Sequence, residues 1–165
     1  MNKTKSFLWI ILTLMFTLSL TSCVLTPADY CEKILNSCGD IKNGTSELAN
    51  LIATKDVDKI QAKYDENLQK INKTIADFQK MGDWQGNKDL IEAGIRYVEF
   101  YKRTYENQYS KFIEILKKEN KTYEDGDVVA FAAEDIAEES IKVEQDLINN
   151  FSKFTKEFGL ITTSY

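Results

Sequence analysis

Acidic side chains are the most numerous groups capable of chemistry in this 165-residue chain, which contains 26 Asp and Glu, 21 Lys and Arg, and no histidine. The densest cluster consists of Glu134, Asp135, Glu138 and Glu139. Carboxylates on bundled helices can hold two iron ions, but those sites also require histidine ligands. We therefore interpret the cluster as a solvated helix face. We expect no metal site and no cofactor.

Other enzymatic arrangements are also disfavoured by the residue types. Serine is frequent, but the chain has no imidazole to activate a hydroxyl and no glycine-flanked nucleophile elbow. The net charge of −5 disfavours a surface that follows nucleic-acid phosphates. We expect a protein that is not an enzyme and does not bind nucleic acid.

Tyrosines recur at every fourth position, at Tyr97, Tyr101, Tyr105 and Tyr109. Each step of four rotates by about 40° around an α-helix, so the rings sweep about 120° and cannot share one narrow seam. We expect some of them to face a groove or solvent. Two interpretations stay open: a groove that binds a small apolar or cationic ligand, and a bundle core whose hydroxyls reach the rim, which we prefer.

Cys31 and Cys38 are seven positions apart, which corresponds to about 10.5 Å in a continuous helix and exceeds the reach of a disulfide. A bridge would require the helix to break near Gly39. We favour two thiols beside the buried stripe, and the disulfide stays as an alternative.

The N-terminal segment has the order of a secretory signal. Lys3 and Lys5 precede an apolar run at 7–20, which is shorter than the roughly 20 residues that span a bilayer. Leu20, Thr21, Ser22 and Cys23 then resemble a bacterial lipobox, in which a signal peptidase recognises the three residues before a cysteine that becomes lipidated. We predict a signal peptide at 1–22 and a short lipid-anchored tether at 23–26.

Four amphipathic patterns follow, each with apolar residues three and four positions apart. They cover about 27–53, 57–78, 91–116 and 129–158. Gly39 and Gly44 lower the helix propensity of the first, which we interpret as one helix, with fraying or a kink between the two glycines as an alternative. Because the connections are short, we predict an all-α, antiparallel up-down-up-down four-helix bundle forming one domain at 27–161.

One turn and the helix that follows it resemble the corresponding segment of a known protein family. The turn contains Asp83, Trp84, Gly86 and Asn87, and the helix bears a Phe-Tyr-Lys triplet at 100–102 among further aromatic residues. This pattern resembles an uncharacterised family of bacterial helical surface lipoproteins, although Trp84 stands where we expect phenylalanine. The resemblance implies the same lipoprotein signal and four-helix layout. It implies no activity.

These observations favour a lipid-anchored bacterial cell-envelope protein of interaction or structural type, facing the periplasm or the cell exterior. We expect its partners to be the membrane, through a lipid on Cys23, and a protein or other component of the envelope. The alternative is binding of a small apolar ligand in a groove lined by the tyrosine series.

Overall fold

The structure is a computed structural model that describes residues 25–160. The predictions for the signal peptide, for Cys23 and for Ile161 concern positions outside that range. The helices are α1 (Pro27–Ile52), α2 (Val57–Met81), α3 (Asp89–Thr104), α4 (Ser110–Lys117) and α5 (Tyr123–Glu157). Residues 25–160 contain no strand, which confirms the all-α class, and a π-helical turn at Tyr105–Tyr109 joins α3 to α4, giving four long helical segments.

Side-chain caps set the starts of three of these segments. The Thr26 hydroxyl accepts a hydrogen bond from Asp29 N, and the Asp29 carboxylate accepts one from Thr26 N, which together form a capping box. Thr122 and Asp125 repeat this arrangement at the start of α5. Asp56 caps α2 by accepting from the backbone N–H of residue 59. Such caps satisfy backbone donors that the first helical turn leaves free.

Helix α1 is continuous through Gly39 and Gly44, which confirms the prediction of one helix and excludes fraying between the two glycines. Gly44 lies against Asn67 of α2, and a Cβ atom at Gly44 would be 2.7 Å from Asn67 Oδ1. Helix packing thus outweighs the low helix propensity of glycine. A side chain at Gly44 would displace the amide group of Asn67.

The third segment differs from the uniform α-helix that the sequence pattern predicts. At Tyr105–Tyr109 the backbone forms a π-helical turn, which accommodates one additional residue. One residue corresponds to about 100° of α-helical rotation. The turn therefore changes by that angle the direction in which the side chains after it point from the helix axis.

The core runs between the helices, and most of its side chains are aliphatic or aromatic. Its largest fully buried members are Tyr30, Tyr105, Phe78, Phe100, Phe154, Ile34, Leu48, Ile60, Ile71, Leu90 and Val98. Three helices approach closely at Gly94 of α3. A Cβ atom there would be 2.9 Å from Ile34 Cγ2 on α1 and 3.1 Å from Phe78 Cε2 on α2.

Surface ion pairs show which parts of the helices lie side by side. Asp40 and Glu47 of α1 pair with Lys70 and Lys63 of α2. Lys42 pairs with Glu144 of α5 at 2.8 Å. Arg96 and Arg103 of α3 pair with Asp146 and Glu139 of α5, each at 2.7 Å. Exposed pairs of this kind add little stability, but they record the alignment of the helices.

Candidate functional site

The predicted lipidation site and its recognition residues, Leu20, Thr21, Ser22 and Cys23, lie outside residues 25–160. Helix α1 nevertheless begins close to them in the chain, because the capping box starts at Thr26. Leu25 is exposed and contributes to an open cleft of about 420 Å³ that Lys33, Lys80 and Met81 also line. This cleft marks the end of the molecule from which the N-terminal segment leaves.

The turn between α2 and α3 lies at the same end. Asp83 Oδ1 accepts a hydrogen bond from Gly86 N at 2.8 Å, and Trp84 exchanges backbone hydrogen bonds with Asn87. The Tyr30 hydroxyl donates to the Gly82 carbonyl at 2.7 Å. These bonds fix the turn against the first helical residues of α1.

Aromatic stacking continues the arrangement into α5. The ring of Tyr30 lies 5.4 Å from that of Trp84 and 5.6 Å from that of Phe154. We call this region, defined by Tyr30, Trp84 and Phe154, the Trp84 end of the molecule. It brings the start of α1 and the last turns of α5 together.

The tyrosine series is buried throughout. Tyr97, Tyr101, Tyr105 and Tyr109 expose between 0% and 7% of their surface, so the expectation that some of them face a groove or solvent is wrong. Helix α3 contacts α1, α2 and α5, so a wide sector of it is buried, and the extra residue of the π-helical turn brings Tyr109 back by about 100° towards the sector of Tyr97. The rings pack on one another instead, with centroids 5.1 Å apart for the first pair and 5.0 Å for the last.

Hydrogen bonds satisfy the most deeply buried of these phenols. Asn67 Nδ2 donates to the Tyr105 hydroxyl at 2.8 Å and to the Gly44 carbonyl at 2.7 Å. The Tyr105 hydroxyl donates to Thr45 Oγ1 at 3.4 Å. This network connects α1, α2 and the π-helical turn, and it favours one alignment of the three.

Burial also determines the acid–base state of the series. It raises the pKa of Tyr109 to about 12, and it raises the pKa values of Tyr97, Tyr101 and Tyr105 as well. The phenols are therefore neutral at physiological pH. Their role in this arrangement is to fill and order the core.

Open clefts lie elsewhere on the described part of the chain. One of about 260 Å³ lies beside the turn between α2 and α3 and includes Phe78, Lys88 and Ile91 in its lining. Another, of about 450 Å³, lies where Leu51 of α1 faces Lys63 of α2. Neither these two clefts nor the one at Leu25 is lined by a tyrosine of the series.

Cys31 and Cys38 are both buried and both carry free thiols. Because α1 is continuous between them, the spacing argument against a bridge applies. Burial raises the pKa of the Cys31 thiol to about 11 and that of Cys38 to about 12. These thiols are therefore weak nucleophiles that act as small apolar side chains of the core.

The acidic cluster of α5 is exposed, as a solvated face should be. Glu138 pairs with Lys142 and Glu139 with Arg103, while Glu134 and Asp135 have no Lys or Arg partner within residues 25–160. No group of three or more His, Cys, Asp or Glu side chains in that range is arranged to hold a metal ion.

An exposed apolar surface on α5 was missed by the sequence patterns. Of the six exposed large hydrophobic side chains within residues 25–160, five lie on α5 and the other is Leu25. We call these five the outer face of α5. Its members are Tyr123 (93% exposed), Val128 (44%), Phe131 (67%), Ile141 (68%) and Ile148 (51%).

The outer face lies opposite the side of α5 that packs on the core. Val129, Ile136 and Val143 are partly buried against the core, and Leu147 and Phe154 are buried. The buried stripe on α5 was predicted correctly from the sequence. The signal for the second stripe was the separation of seven residues between Ile141 and Ile148, which keeps one side of a helix, with Phe131 about 80° further round the axis.

Among residues 25–160, no helix combines the length and the apolar composition that crossing a bilayer requires. Comparison with protein-family models, with curated proteins and with solved structures finds no significant match to this chain. The described residues thus define an all-helical protein with a tyrosine-rich core, and the resemblance to helical surface lipoproteins stays a prediction.

Proposed function

We propose that this chain is a lipid-anchored protein of the bacterial cell envelope that acts through its surface on a protein or other envelope component, without catalysing a reaction. The lipid is attached at Cys23, and the helical domain faces the periplasm or the cell exterior. The observation that carries the proposal is the order of residues 3–23: cationic side chains, a short apolar run, and Leu20, Thr21 and Ser22 before the cysteine.

The position of the first helix supports this proposal. The capping box begins at Thr26, three positions after Cys23, so a lipid on that cysteine leaves only about 10 Å of extended chain before the folded domain. A diacylglycerol with an amide-linked acyl chain provides the two or more chains that stable anchoring requires. Under this proposal the Trp84 end lies next to the bilayer.

The helical alignment supports an antiparallel, up-down-up-down arrangement of the domain. As residue numbers rise along α1, those of its α2 partners fall, because Asp40 pairs with Lys70 and Glu47 with Lys63. Arg96 and Arg103 show the same relation to the residues of α5 that they contact. We infer that the four segments alternate in direction, as short connections between long helices favour.

A role through binding is favoured by the residue types and their surroundings. The chain has no histidine, and the buried thiols and phenols are held in their neutral forms at physiological pH. Five of the six exposed large hydrophobic side chains within residues 25–160 lie on one helix, and exposed apolar patches mark interaction sites.

Metabolic labelling with a palmitate analogue in a bacterial host tests the anchor. The wild-type chain and a Cys31→Ala control should incorporate the label, whereas Cys23→Ser should not. Cys31 is a suitable control because it is buried in α1 and belongs to no predicted processing signal. Equal labelling of Cys23→Ser and the wild type would refute lipidation at this residue.

A further inference from the structure

The outer face of α5 has the spacing of a docking surface for another helix. Ile141 and Ile148 are seven residues apart on the outer side of α5, and Phe131, ten residues before Ile141, lies about 80° away around the helix axis, so the three side chains span about 100°. A surface helix that packs on a neighbour presents an apolar sector of about this width. From Tyr123 to Ile148 this side extends about 37 Å, enough for several turns of a partner.

Carboxylates surround Phe131, the exposed phenylalanine of this surface. On a helix, the neighbours of Phe131 are the residues three and four positions away, which are Asp127, Val128, Glu134 and Asp135. Within residues 25–160, none of those three acidic side chains pairs with a lysine or arginine, whereas Glu138, Glu139, Glu144 and Asp146 further along α5 all do. The apolar surface therefore carries uncompensated negative charge.

This charge argues against a second copy of the chain as the occupant. Two identical outer faces would bring two acidic surfaces together, and like charges across an interface cost binding energy. A cationic partner has the opposite effect, since lysine and arginine beside an apolar seam would neutralise Asp127, Glu134 and Asp135. An aromatic ring also attracts a cation to its face.

The location of the surface argues against a membrane as the occupant. Phe131 lies 23 residues before Phe154, which packs on Tyr30 at the Trp84 end. That separation is about 35 Å along the helix. If the Trp84 end faces the bilayer, as the proposed function requires, the ring of Phe131 lies well away from the lipid.

We propose that the outer face of α5 docks a basic amphipathic helix of another protein, which places its apolar seam on Phe131, Ile141 and Ile148 and its lysine or arginine side chains beside Asp127, Glu134 and Asp135. This rests on the proposed function for the orientation of the surface away from the membrane. The docking itself follows from the exposed side chains and their charges.

Fluorescence anisotropy with a labelled synthetic peptide tests the proposal. The probe is a helical peptide of about three heptads with leucine in the seam and lysine at the flanking positions, and its twin carries glutamate in place of each lysine. The full chain is held in neutral-detergent micelles, and micelles without protein provide the blank. The lysine peptide should bind, with an affinity that falls as salt rises, and the glutamate twin should not.

Two variants separate the apolar and electrostatic contributions. Phe131→Gln combined with Ile141→Gln should weaken binding about tenfold or more, as the loss of central apolar contacts usually does. The triple variant Asp127→Asn, Glu134→Gln and Asp135→Asn should weaken binding several-fold at low ionic strength and flatten its salt dependence. Because all five positions are exposed, both variants should melt at the wild-type temperature.

A matched variant controls for net charge alone. Glu32→Gln, Asp58→Asn and Glu92→Gln remove three exposed carboxylates from α1, α2 and α3, and this variant should bind the lysine peptide as the wild type does. Equal loss of binding in both triple variants would overturn the proposal.

Three further outcomes would overturn the docking proposal. One is that the variant with Phe131→Gln and Ile141→Gln binds the lysine peptide with wild-type affinity. Another is that the glutamate twin binds the wild type as tightly as the lysine peptide does. A third is a dimer of the wild type, detected by sedimentation, that the apolar variant converts to a monomer. Peptide binding does not depend on lipidation. A failure of the peptide to bind would therefore not refute lipidation at Cys23, and a lack of lipid on Cys23 would not refute the docking of the peptide.

Discussion

Replacing Gly94 with alanine tests the close approach of α1, α2 and α3. A Cβ atom at this position would be 2.9 Å from Ile34 Cγ2 and 3.1 Å from Phe78 Cε2. Ile34 and Phe78 are almost completely buried, and isoleucine is restricted at χ1. Neither neighbour can move away without disturbing the core.

Gly39 provides the matched substitution, because it also lies inside a helix but a Cβ atom there would meet nothing within 4 Å. Exchanging glycine for alanine in a helix stabilises it by up to about 1 kcal/mol. At Gly94 the same gain is opposed by overpacking, which costs about 1 to 3 kcal/mol. We expect Gly39→Ala to stabilise the protein by about 0.5 to 1 kcal/mol and Gly94→Ala to destabilise it by about 1 to 2 kcal/mol.

Urea unfolding followed by far-ultraviolet circular dichroism measures both effects. For a chain of this length, 1 kcal/mol corresponds to about 2 to 4 °C in the melting temperature, so thermal melts should separate the two variants clearly. If Gly94→Ala is as stable as Gly39→Ala, the helices are further apart at this point than the structure places them, and the packing argument is refuted.

Three further expectations follow from the buried groups. Burial raises the pKa values of Tyr30 and Tyr109 to about 12 in the folded protein. The stability that these neutral phenols contribute is therefore fully present below pH 10 and is lost as the pH rises towards 12. The urea midpoint should fall across this range. A midpoint that stays constant would show that these phenols ionise equally in both states. Cys31 and Cys38 should resist alkylation in the folded protein and react fully in urea, with or without reductant, and a reductant requirement would reveal a disulfide. Tyr105→Phe should destabilise the fold by about 1 to 2 kcal/mol, because it leaves buried hydrogen-bonding groups without their phenol partner; unchanged unfolding would show that the network contributes nothing.

Local signals account for the parts of the fold that the sequence predicted well. Thr26 with Asp29 and Thr122 with Asp125 are three positions apart in each case, which is the spacing of a capping box, and both pairs form one. These interactions depend on neighbouring residues alone, so spacing is sufficient to identify them. The apolar stripes were equally informative, since the predicted core positions of α2 and α3 are buried or partly buried.

The π-helical turn could not be predicted in the same way. A regular α-helix would turn Tyr109 about 120° away from Tyr97, and the turn at Tyr105–Tyr109 brings Tyr109 back to the core. Contacts with Asn67 and Thr45 on two other helices accompany this geometry. A backbone irregularity that depends on such distant partners leaves no periodic signal in its own segment.

The outer face of α5 illustrates a second limit of prediction from the sequence alone. Apolar residues occur on both sides of this helix, and a search for one stripe finds the side with more members. Which side lies on the core depends on where α1 and α3 are placed, and ion pairs such as Arg96 with Asp146 become visible only in the structure. The exposed side chains Phe131 and Ile141 were therefore overlooked.

Mass spectrometry of the chain isolated from bacterial membranes tests the central claim most directly. We expect the first residue of the mature protein to be Cys23 and its N-terminal peptide to carry the mass of a diacylglycerol and an amide-linked acyl chain. An N-terminus at Met1, or a mature chain in which Cys23 retains a free thiol, would contradict it.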